Sequence, residues 1–598
     1  MATREQDTNE PPLPGYEEAP RLAARAFMLA LEAGRSAAAG IGGHNGTYRP
    51  MSPGVVLPSY GTLAQRWLAD PSALLAANVE MWRRVPDLLR YALARVTREP
   101  ADAVIAPAAG DKRFRDEAWT ENPLFDVVKQ LYLLLAEGAL ASVRETQGLD
   151  AHAAQKLQFY TRQVVDALAP TNFVLTNPQA LRRTVETGGR NLLAGFANFL
   201  DDVRQHQGRL RIRMTDPDEF ELGVNIAVTP GKVVFQNALM QLIQYAPSTK
   251  TVFRRPLLIV PPWINKYYIL DLRPKNSFIR WAVEQGHTVF VVSWVNPGSQ
   301  HADTSFEDYM NAGIVAALDA IAAATGEREV KAIGYCLGGT LLAATLARMS
   351  VTGDDRIKAA TYFVALVDFA EPGELGIFID EPQLEHIERS MEGKGYFEGG
   401  SMAEAFNLLR ANDLIWSYFV NNYLLGREPA AFDLLYWNSD STRLPRAMHS
   451  FYLRNMYQNN LLREPGGITL GGVPIDLRRI RTPSYILATR EDHIAPWRST
   501  FAGVNLYRGP VRFVLGESGH IAGVINPPGG KYGHLVGERA DTPEEWLAKA
   551  ERREGSWWLD WQKWIARYNG GKRVPAREPG GGMLEPIEDA PGSYVKVT

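Results

Sequence analysis

The stretch Glu329 to Met349, EVKAIGYCLGGTLLAATLARM, constrains this chain more than any other. A short apolar run, Val330 to Ile333, meets Gly334-Tyr335-Cys336-Leu337-Gly338, and a Leu/Ala-rich segment with helical spacing follows. That order reads as strand, tight turn and helix. Small residues two before and two after the central position let the backbone turn sharply, so the middle side chain projects above a sheet edge. Here that side chain is a thiol. Cys336 is also the only cysteine in the chain, which excludes an intrachain disulfide and a cysteine-based metal site. A buried structural cysteine beside a glycine-rich turn is the competing reading, and the turn alone does not separate the two.

Length and composition set the frame for that turn. With 598 residues, 45% apolar and 22% charged, the chain has ordinary globular composition and room for two domains. A formal net charge of −3 gives no basic footprint, so nucleic acid is not an expected partner. The start, MATREQDTNEPPLPGYEEAP, is polar and acidic without an apolar segment, which points away from secretion and toward the cytoplasm. No apolar stretch reaches the roughly 18 residues a membrane span needs; Val127 to Val143, for example, carries Lys129 and Glu137. Attachment to a lipid-like surface is therefore expected to be peripheral.

Along the chain, residues 1 to about 20 read as a disordered tail, Arg21 to Ala38 has helical spacing, and Gly40 to Gly54 reads as a connector, together a flexible extension over residues 1–56. Residues 57–215 have the periodicity of amphipathic helices: Leu74 to Leu93, Leu124 to Val143, His152 to Leu168 and Ala180 to Val203. Asn122-Pro123 and Asn177-Pro178 suit helix starts, because Asn caps well and Pro fits the first helical position. This half shows no catalytic constellation and reads as a packing or partner-binding domain.

Residues 216–598 alternate between strand and helix signals, which implies a mostly parallel sheet with crossover helices. Strands are expected at Pro256 to Val260, Thr288 to Trp294, Val330 to Ile333, Ala360 to Val367, Ser484 to Thr489 and Val511 to Leu515, with helices at Ser277 to Glu284 and Phe306 to Ala324. Residues about 370–475 interrupt that order with a long aromatic-rich insertion, expected to form a cap over the sheet edge because a structureless connection of that length is improbable. Near the end, Trp557, Trp558, Trp561 and Trp564 lie at helical spacing, as a docked amphipathic helix or a surface-binding one, and the Gly580-rich terminus reads as linker and tail.

A thiol is mostly protonated at neutral pH, so a nucleophilic Cys336 calls for an imidazole nearby. His520 falls just after the strand ending at Leu515, in Gly516-Glu517-Ser518-Gly519-His520, and Asp492 holds the equivalent place after Ser484 to Thr489. Nucleophile, acid, histidine is the chain order of α/β-hydrolase triads, in which the histidine is the base and the carboxylate fixes its tautomer. His493 is an alternative base and Asp368 an alternative acid. The oxyanion donors are expected to be the backbone N–H of Leu337 and one from the loop after Val260, with Ile264 the choice there.

Several longer motifs carry a family resemblance. Pro261 to Leu272 (PPWINKYYILDL), Gly334 to Thr340 (GYCLGGT), Arg490 to Trp497 (REDHIAPW) and Ser518 to Pro528 (SGHIAGVINPP) resemble the polyhydroxyalkanoate synthases, and Asp116 to Phe125 and Ala169 to Pro178 resemble their N-terminal domain. The resemblance runs from about residue 57 to the end and looks like the single-subunit class I type, to which Ala522 just past the histidine also points. It implies an α/β-hydrolase catalytic domain with a cap insertion, preceded by an all-α N-terminal domain. It further implies an acyltransferase that polymerises (R)-3-hydroxyacyl-CoA, chiefly (R)-3-hydroxybutyryl-CoA, through an acyl group on Cys336, with Asp492 and His520 completing the triad. The CoA thioester is a substrate, and no cofactor is expected. His493, Asn265 and Ala522 are candidate substrate-side or auxiliary residues. Homodimerisation and a cytoplasmic, granule-associated location follow from the resemblance alone. Two other readings stay open at this point: a thioesterase or esterase using the same triad, and a non-catalytic granule coat protein.

Overall fold

The computed structural model describes residues 48–206 and 210–598. The expected tail, the helical spacing of Arg21 to Ala38 and most of the connector lie outside the described residues. Within the rest of the expected extension, Tyr48 and Val55 are buried and a helix already opens at Pro53. The chain divides into two compact units, one running to Asp216 and including Glu404–Ala431, the other made of Pro217–Ala403 and Phe432–Thr598.

The first unit is helical: α1 Pro53–Ala69, α2 Pro71–Thr97, α3 Pro123–Arg144, α4 Ala151–Ala167, α5 Pro178–Glu186 and α6 Arg190–Gln205. The Asn-Pro pairs start helices as their chemistry requires. The Asn122 side chain accepts from the N–H of Leu124 at 3.0 Å, the Asn177 side chain accepts from those of Gln179 and Ala180, and a proline follows each cap. The single helix expected over Ala180 to Val203 is two, because Gly188 and Gly189 take φ of 57° and 84° and break the ladder between α5 and α6. Residues 404–431, expected as part of one cap over 370–475, pack on α6 instead. Asn191 Nδ2 donates to the carbonyl of Leu424 at 2.7 Å, Tyr423 Oη donates to buried Asp202 at 2.6 Å, and Gly195 approaches Tyr423 so closely that a Cβ would lie 1.9 Å from its carbonyl oxygen. Among the described residues no helix is long and apolar enough to cross a membrane.

The second unit is built on one eleven-stranded sheet. Its strands are β1 Gly231–Gln236, β2 Met240–Tyr245, β3 Leu257–Val260, β4 Val289–Trp294, β5 Val330–Tyr335, β6 Ile357–Phe363, β7 Ser484–Thr489, β8 Val511–Gly516, β9 His534–Val536, β10 Glu551–Arg553 and β11 Glu588–Asp589, in the order β10-β9-β8-β7-β6-β5-β3-β4-β2-β1-β11. The six strands from β8 to β4 are parallel, and antiparallel strands extend both sides. The central strands are buried along nearly their whole length, as a sheet covered on both faces requires. Lys331, inside β5, is the exception in kind. Its amine contacts His287 Nδ1 at 3.0 Å and donates to Asn569 Oδ1, and burial pushes its pKa well below that of an ordinary lysine.

Register decides where the sheet opens. Val260 pairs with Gly334, Tyr335 with Phe363, Phe363 with Leu487, and Thr489 with Gly516. The carboxyl ends of β3, β5, β6, β7 and β8 therefore stop at one edge, where reacting groups of open α/β sheets collect. The helices that cover the sheet include α7 Phe278–Glu284, α8 Ala316–Thr325, α9 Leu337–Thr352 and α10 Trp557–Ile565.

Four expectations differ from the structure here. The helix expected over Phe306 to Ala324 contains a π-helical stretch, Tyr309–Val315, at Gly313, where a Cβ would lie 2.4 Å from the Trp294 ring. The strand expected over Ala360 to Val367 ends at Phe363, since Val364 turns to φ 43° and donates to the carbonyl of Leu487. The Gly580-rich terminus is docked: β11 pairs with β1, Val595 is buried, and Tyr594 Oη donates to the carbonyl of Asn237 at 2.8 Å. The four tryptophans of α10 are all buried, so the surface-binding alternative for them is wrong.

Two glycines, one inside α9 and one just past its end, predict losses of very different size. A Cβ on Gly338 would lie 2.0 Å from the carbonyl oxygen of Val260, whereas Gly353, at φ 75° beyond the helix end, has open space around it. Gly338→Ala is expected to lower the apparent Tm by about 5–10 °C or to yield insoluble protein, through backbone overpacking. Gly353→Ala is expected to cost only about 1 kcal/mol, a few degrees at most in the same thermal scan.

Candidate active site

The site begins with a backbone turn. Cys336 sits between β5 and α9 at φ 51° and ψ −118°, a region that a residue with a side chain rarely enters. Its N–H donates to the carbonyl of Phe363 at 2.9 Å, and Thr340 Oγ1 donates to that of Leu366, tying the start of α9 to the segment after β6. The glycines around it are required by space: a Cβ on Gly334 would lie 2.5 Å from the Cα of Gly339, and one on Gly339 would lie 2.4 Å from the Cβ of Ala365. The thiol is half-buried. Leu337 is the first residue of α9, where backbone N–H groups have no partner within the helix and a partial positive charge collects.

The imidazole and the carboxylate arrive from the two neighbouring strand ends. Asp492 follows β7, and its Oδ1 accepts from the N–H groups of Ile494 and Ala495 at 2.9 and 2.8 Å. Those bonds aim Oδ2 at His520, which follows β8, and Nδ1 of His520 lies 2.7 Å from it. With a carboxylate accepting at Nδ1, the remaining ring nitrogen, Nε2, is left for the sulfur. Burial works against a charged imidazole here, but the Asp492 carboxylate and the Cys336 sulfur outweigh it and hold the His520 pKa up at about 10. Tyr335 stacks on the imidazole, with ring centroids 5.9 Å apart.

The competing assignments do not meet in the structure. Asp368 accepts from Arg463 Nη1 at 2.9 Å and Asn460 Nδ2 at 2.7 Å, so its carboxylate is taken up within that group. His493 is half-buried in the turn after Asp492, where its carbonyl accepts from the N–H of Glu374. Asn265 and Ile264 lie half-buried in the loop after β3, which residues 437–442 run alongside: Asn265 bridges to Ser441, the N–H of Thr442 donates to the carbonyl of Ile264 at 3.1 Å, and Trp437 Nε1 donates to that of Lys266 at 2.7 Å. Ala522 is half-buried in the turn that carries His520. Among the described residues no three His, Cys, Asp or Glu side chains lie close enough together to hold a metal ion.

Tyr452 and Tyr457 are the residues that sequence reasoning missed. Tyr452 is buried and Tyr457 half-buried, and their rings are 5.5 Å apart, edge to face. Burial pushes both pKa values up, helped at Tyr452 by Tyr457 and then the Cys336 sulfur and at Tyr457 by the Cys336 sulfur, so both remain neutral phenols. A spacing of five residues is not that of an α-helix. It becomes one face only because Leu453–Gln458 is π-helical, where residues i and i+5 stack.

The site thus pairs a sulfur on a sharp turn with a carboxylate-anchored imidazole, beneath two phenols. Residues 110–282 match the family model "Poly-beta-hydroxybutyrate polymerase (PhaC) N-terminus", and residues 272–524 match the alpha/beta hydrolase fold. The chain is 51% identical over 538 residues to a poly(3-hydroxyalkanoate) polymerase of Methylorubrum extorquens, covering 90% of this chain and 89% of that one. It is 51% identical to the polymerase subunit PhaC of Rhizobium meliloti, covering 90% and 87%, and 41% identical to that of Cupriavidus necator, covering 90% and 88%. Likeness of that depth, extending through the helical unit as well as the sheet, places the chain in the poly(3-hydroxyalkanoate) polymerase (PhaC) family.

Proposed function

We propose that this protein is an acyltransferase that polymerises (R)-3-hydroxyacyl-CoA, with (R)-3-hydroxybutyryl-CoA as its main substrate, and releases CoA through an acyl-enzyme on Cys336. The observation that carries this reading is the line Asp492, His520, Cys336 at one sheet edge, in a chain about half identical to named polymerases. With its pKa held near 10, His520 already carries the thiol proton at neutral pH, so Sγ attacks the thioester carbonyl as the thiolate, and the developing oxyanion is held by the N–H of Leu337 and that of Ile264. The C–S bond to CoA breaks and His520 returns the proton to the departing thiolate. Thioester is exchanged for thioester, so the acyl group stays activated and no cofactor is required. The hydroxyl of a further hydroxyacyl unit, deprotonated by His520 with Asp492 behind it, then attacks the acyl-enzyme and lengthens the chain. Water is the competing nucleophile, and buried Tyr452 with Tyr457 beside it reduces its access to the sulfur. The small side chain of Ala522 beside the His520 turn fits a short-chain monomer, and His493 and Asn265 border the same edge as auxiliary residues.

The product explains the expected location. A polyester chain held on Sγ is insoluble, so the enzyme stays on the surface of the growing granule in the cytoplasm, and we place it there as a homodimer. The helical unit supports attachment to an oily surface. A cleft of about 820 Å³ lies among Leu131, Leu135, Val164, Leu168 and Phe173, and Leu124 and Leu175 are 67% and 79% exposed.

Incubation with (R)-3-hydroxybutyryl-CoA is expected to give insoluble polyester and free CoA, and mostly free hydroxy acid would favour a thioesterase instead. In that assay Cys336→Ala abolishes CoA release, and undiminished release would reopen the reading as a non-catalytic coat protein. His520→Gln lowers acylation by about 10³–10⁴-fold. Asp492→Asn still acylates but elongates poorly.

The raised His520 pKa gives a second prediction. Because the folded value exceeds the unfolded one of about 6.5, its contribution to stability is complete below pH ~6.5 and is lost as pH rises through about 10. Imidazole NMR of labelled protein is expected to place the midpoint of His520 near 10, and Asp492→Asn to lower it by more than one unit. A wild-type midpoint at or below ~6.5 would contradict the site geometry.

A further inference from the structure

The turn that carries His520 is held at its far end by side chains of another element. It leaves β8 through Ser518, at φ 75°, and closes as a short helical turn in which the N–H groups of Gly523 and Ile525 donate to the carbonyls of Gly519 and Ile521 at 2.9 and 2.8 Å. The carbonyls of Gly523 and Val524, at the far end of that turn, lie in the core. Trp557 Nε1 donates to the first and Trp558 Nε1 to the second, each at 2.9 Å. Both tryptophans belong to α10 and are 0% and 1% exposed. Ser556, which caps α10, donates from Oγ to the carbonyl of Asn526. The indoles are themselves held rigidly: Trp558 packs edge-on to Phe278 at 5.1 Å, and Trp557 packs on Phe363 at 4.9 Å. Phe363 is the residue whose carbonyl accepts from the N–H of Cys336. One rigid indole therefore touches both the turn holding the base and the end of β6, whose carbonyl accepts from the N–H of the nucleophile.

We propose that Trp557 and Trp558 are positioning residues for the acyl transfer, their indole N–H groups fixing the 519–525 turn so that the His520 imidazole stays in reach of the Cys336 sulfur. The inference rests on the reading of His520 as the base in that reaction. Its physical basis is that hydrogen bonds to buried carbonyls are directional and costly to leave unmade, and that a displacement of about 1 Å between reacting groups can cost on the order of 100-fold in rate. A third tryptophan on the same helix supplies the control. Trp561 is equally buried and donates from Nε1 to Thr361 Oγ1 at 3.0 Å, on β6 and away from the His520 turn.

The test is single-turnover acylation of the full chain by (R)-3-hydroxybutyryl-CoA, read as CoA release over a range of substrate concentrations, for Trp557→Phe, Trp558→Phe and Trp561→Phe, with Tm measured on each. Phenylalanine keeps an aromatic ring and removes the donor. All three variants are expected to lose a comparable few degrees of Tm. Trp557→Phe and Trp558→Phe each lower the acylation rate about 10-fold, with half-saturation changed less than about twofold, while Trp561→Phe stays within about twofold of wild type. Equal rates in all three would overturn the inference and leave the indole bonds purely structural. Should a phenylalanine variant not fold, benzothienylalanine at the same position keeps both rings and replaces the N–H with sulfur, and the same rate pattern is required of it. Failure of the underlying reading shows separately, as wild-type acylation that His520→Gln leaves untouched, and the inference falls with it.

Discussion

The turn at Cys336 is the constraint on which the rest of the second unit depends. A residue with a side chain at φ 51° and ψ −118° is held against a local cost of about 1–3 kcal/mol, and it persists only where its surroundings leave it no alternative. Those surroundings are Gly334, Gly338 and Gly339, packed so closely against backbone or Ala365 that no Cβ fits. In return, the sulfur stands at the carboxyl edge of the sheet and the first N–H groups of α9 stand beside it. The strand register then brings Asp492 and His520 to the same edge without further adjustment.

Most of this site was legible in the sequence because its residues follow strands. The runs before Cys336, Asp492 and His520 are short and apolar, and groups that follow parallel strands at their carboxyl ends open at one edge, so order along the chain translated into proximity in space. Asp368 could not be excluded that way, since it follows a strand too. What removes it is the early end of β6 at Phe363 and the binding of its carboxylate by Asn460 and Arg463. Tyr452 and Tyr457 were illegible for a different reason: their spacing fits neither helix nor strand, and only a π-helical stretch puts them on one face.

The same limits explain the fold. The parallel strands announce themselves as nearly uninterrupted apolar runs, whereas β1 and β2 are broken up by lysine and glutamine and β9 to β11 are only two or three residues long, so none carries a comparable signal. By composition the docked terminus resembles a tail, with Gly580, Gly581 and Gly582 at its start. Its anchoring comes from individual contacts, such as Tyr594 to Asn237 and β11 to β1, that composition does not reveal. The tryptophans of α10 show the converse. Their helical spacing was plain, but the use of the indole N–H groups to cap a neighbouring turn is visible only once Gly523 and Val524 are seen to present their carbonyls to them.

The division of the insertion between two units has a consequence for how such a chain can be cut, borrowed or exchanged. Because residues 404–431 return to α6, a fragment ending at Asp216 would strip Asp202 of the Tyr423 hydroxyl and leave the Asn191 and Asn198 amides facing vacant positions. A fragment beginning at Pro217 would carry the same peptide with nothing to fold against. Neither half is a cassette: the polypeptide threads out of its helical part, into the sheet, back and out again, so a hybrid enzyme must take its leading helices and this internal peptide from one parent.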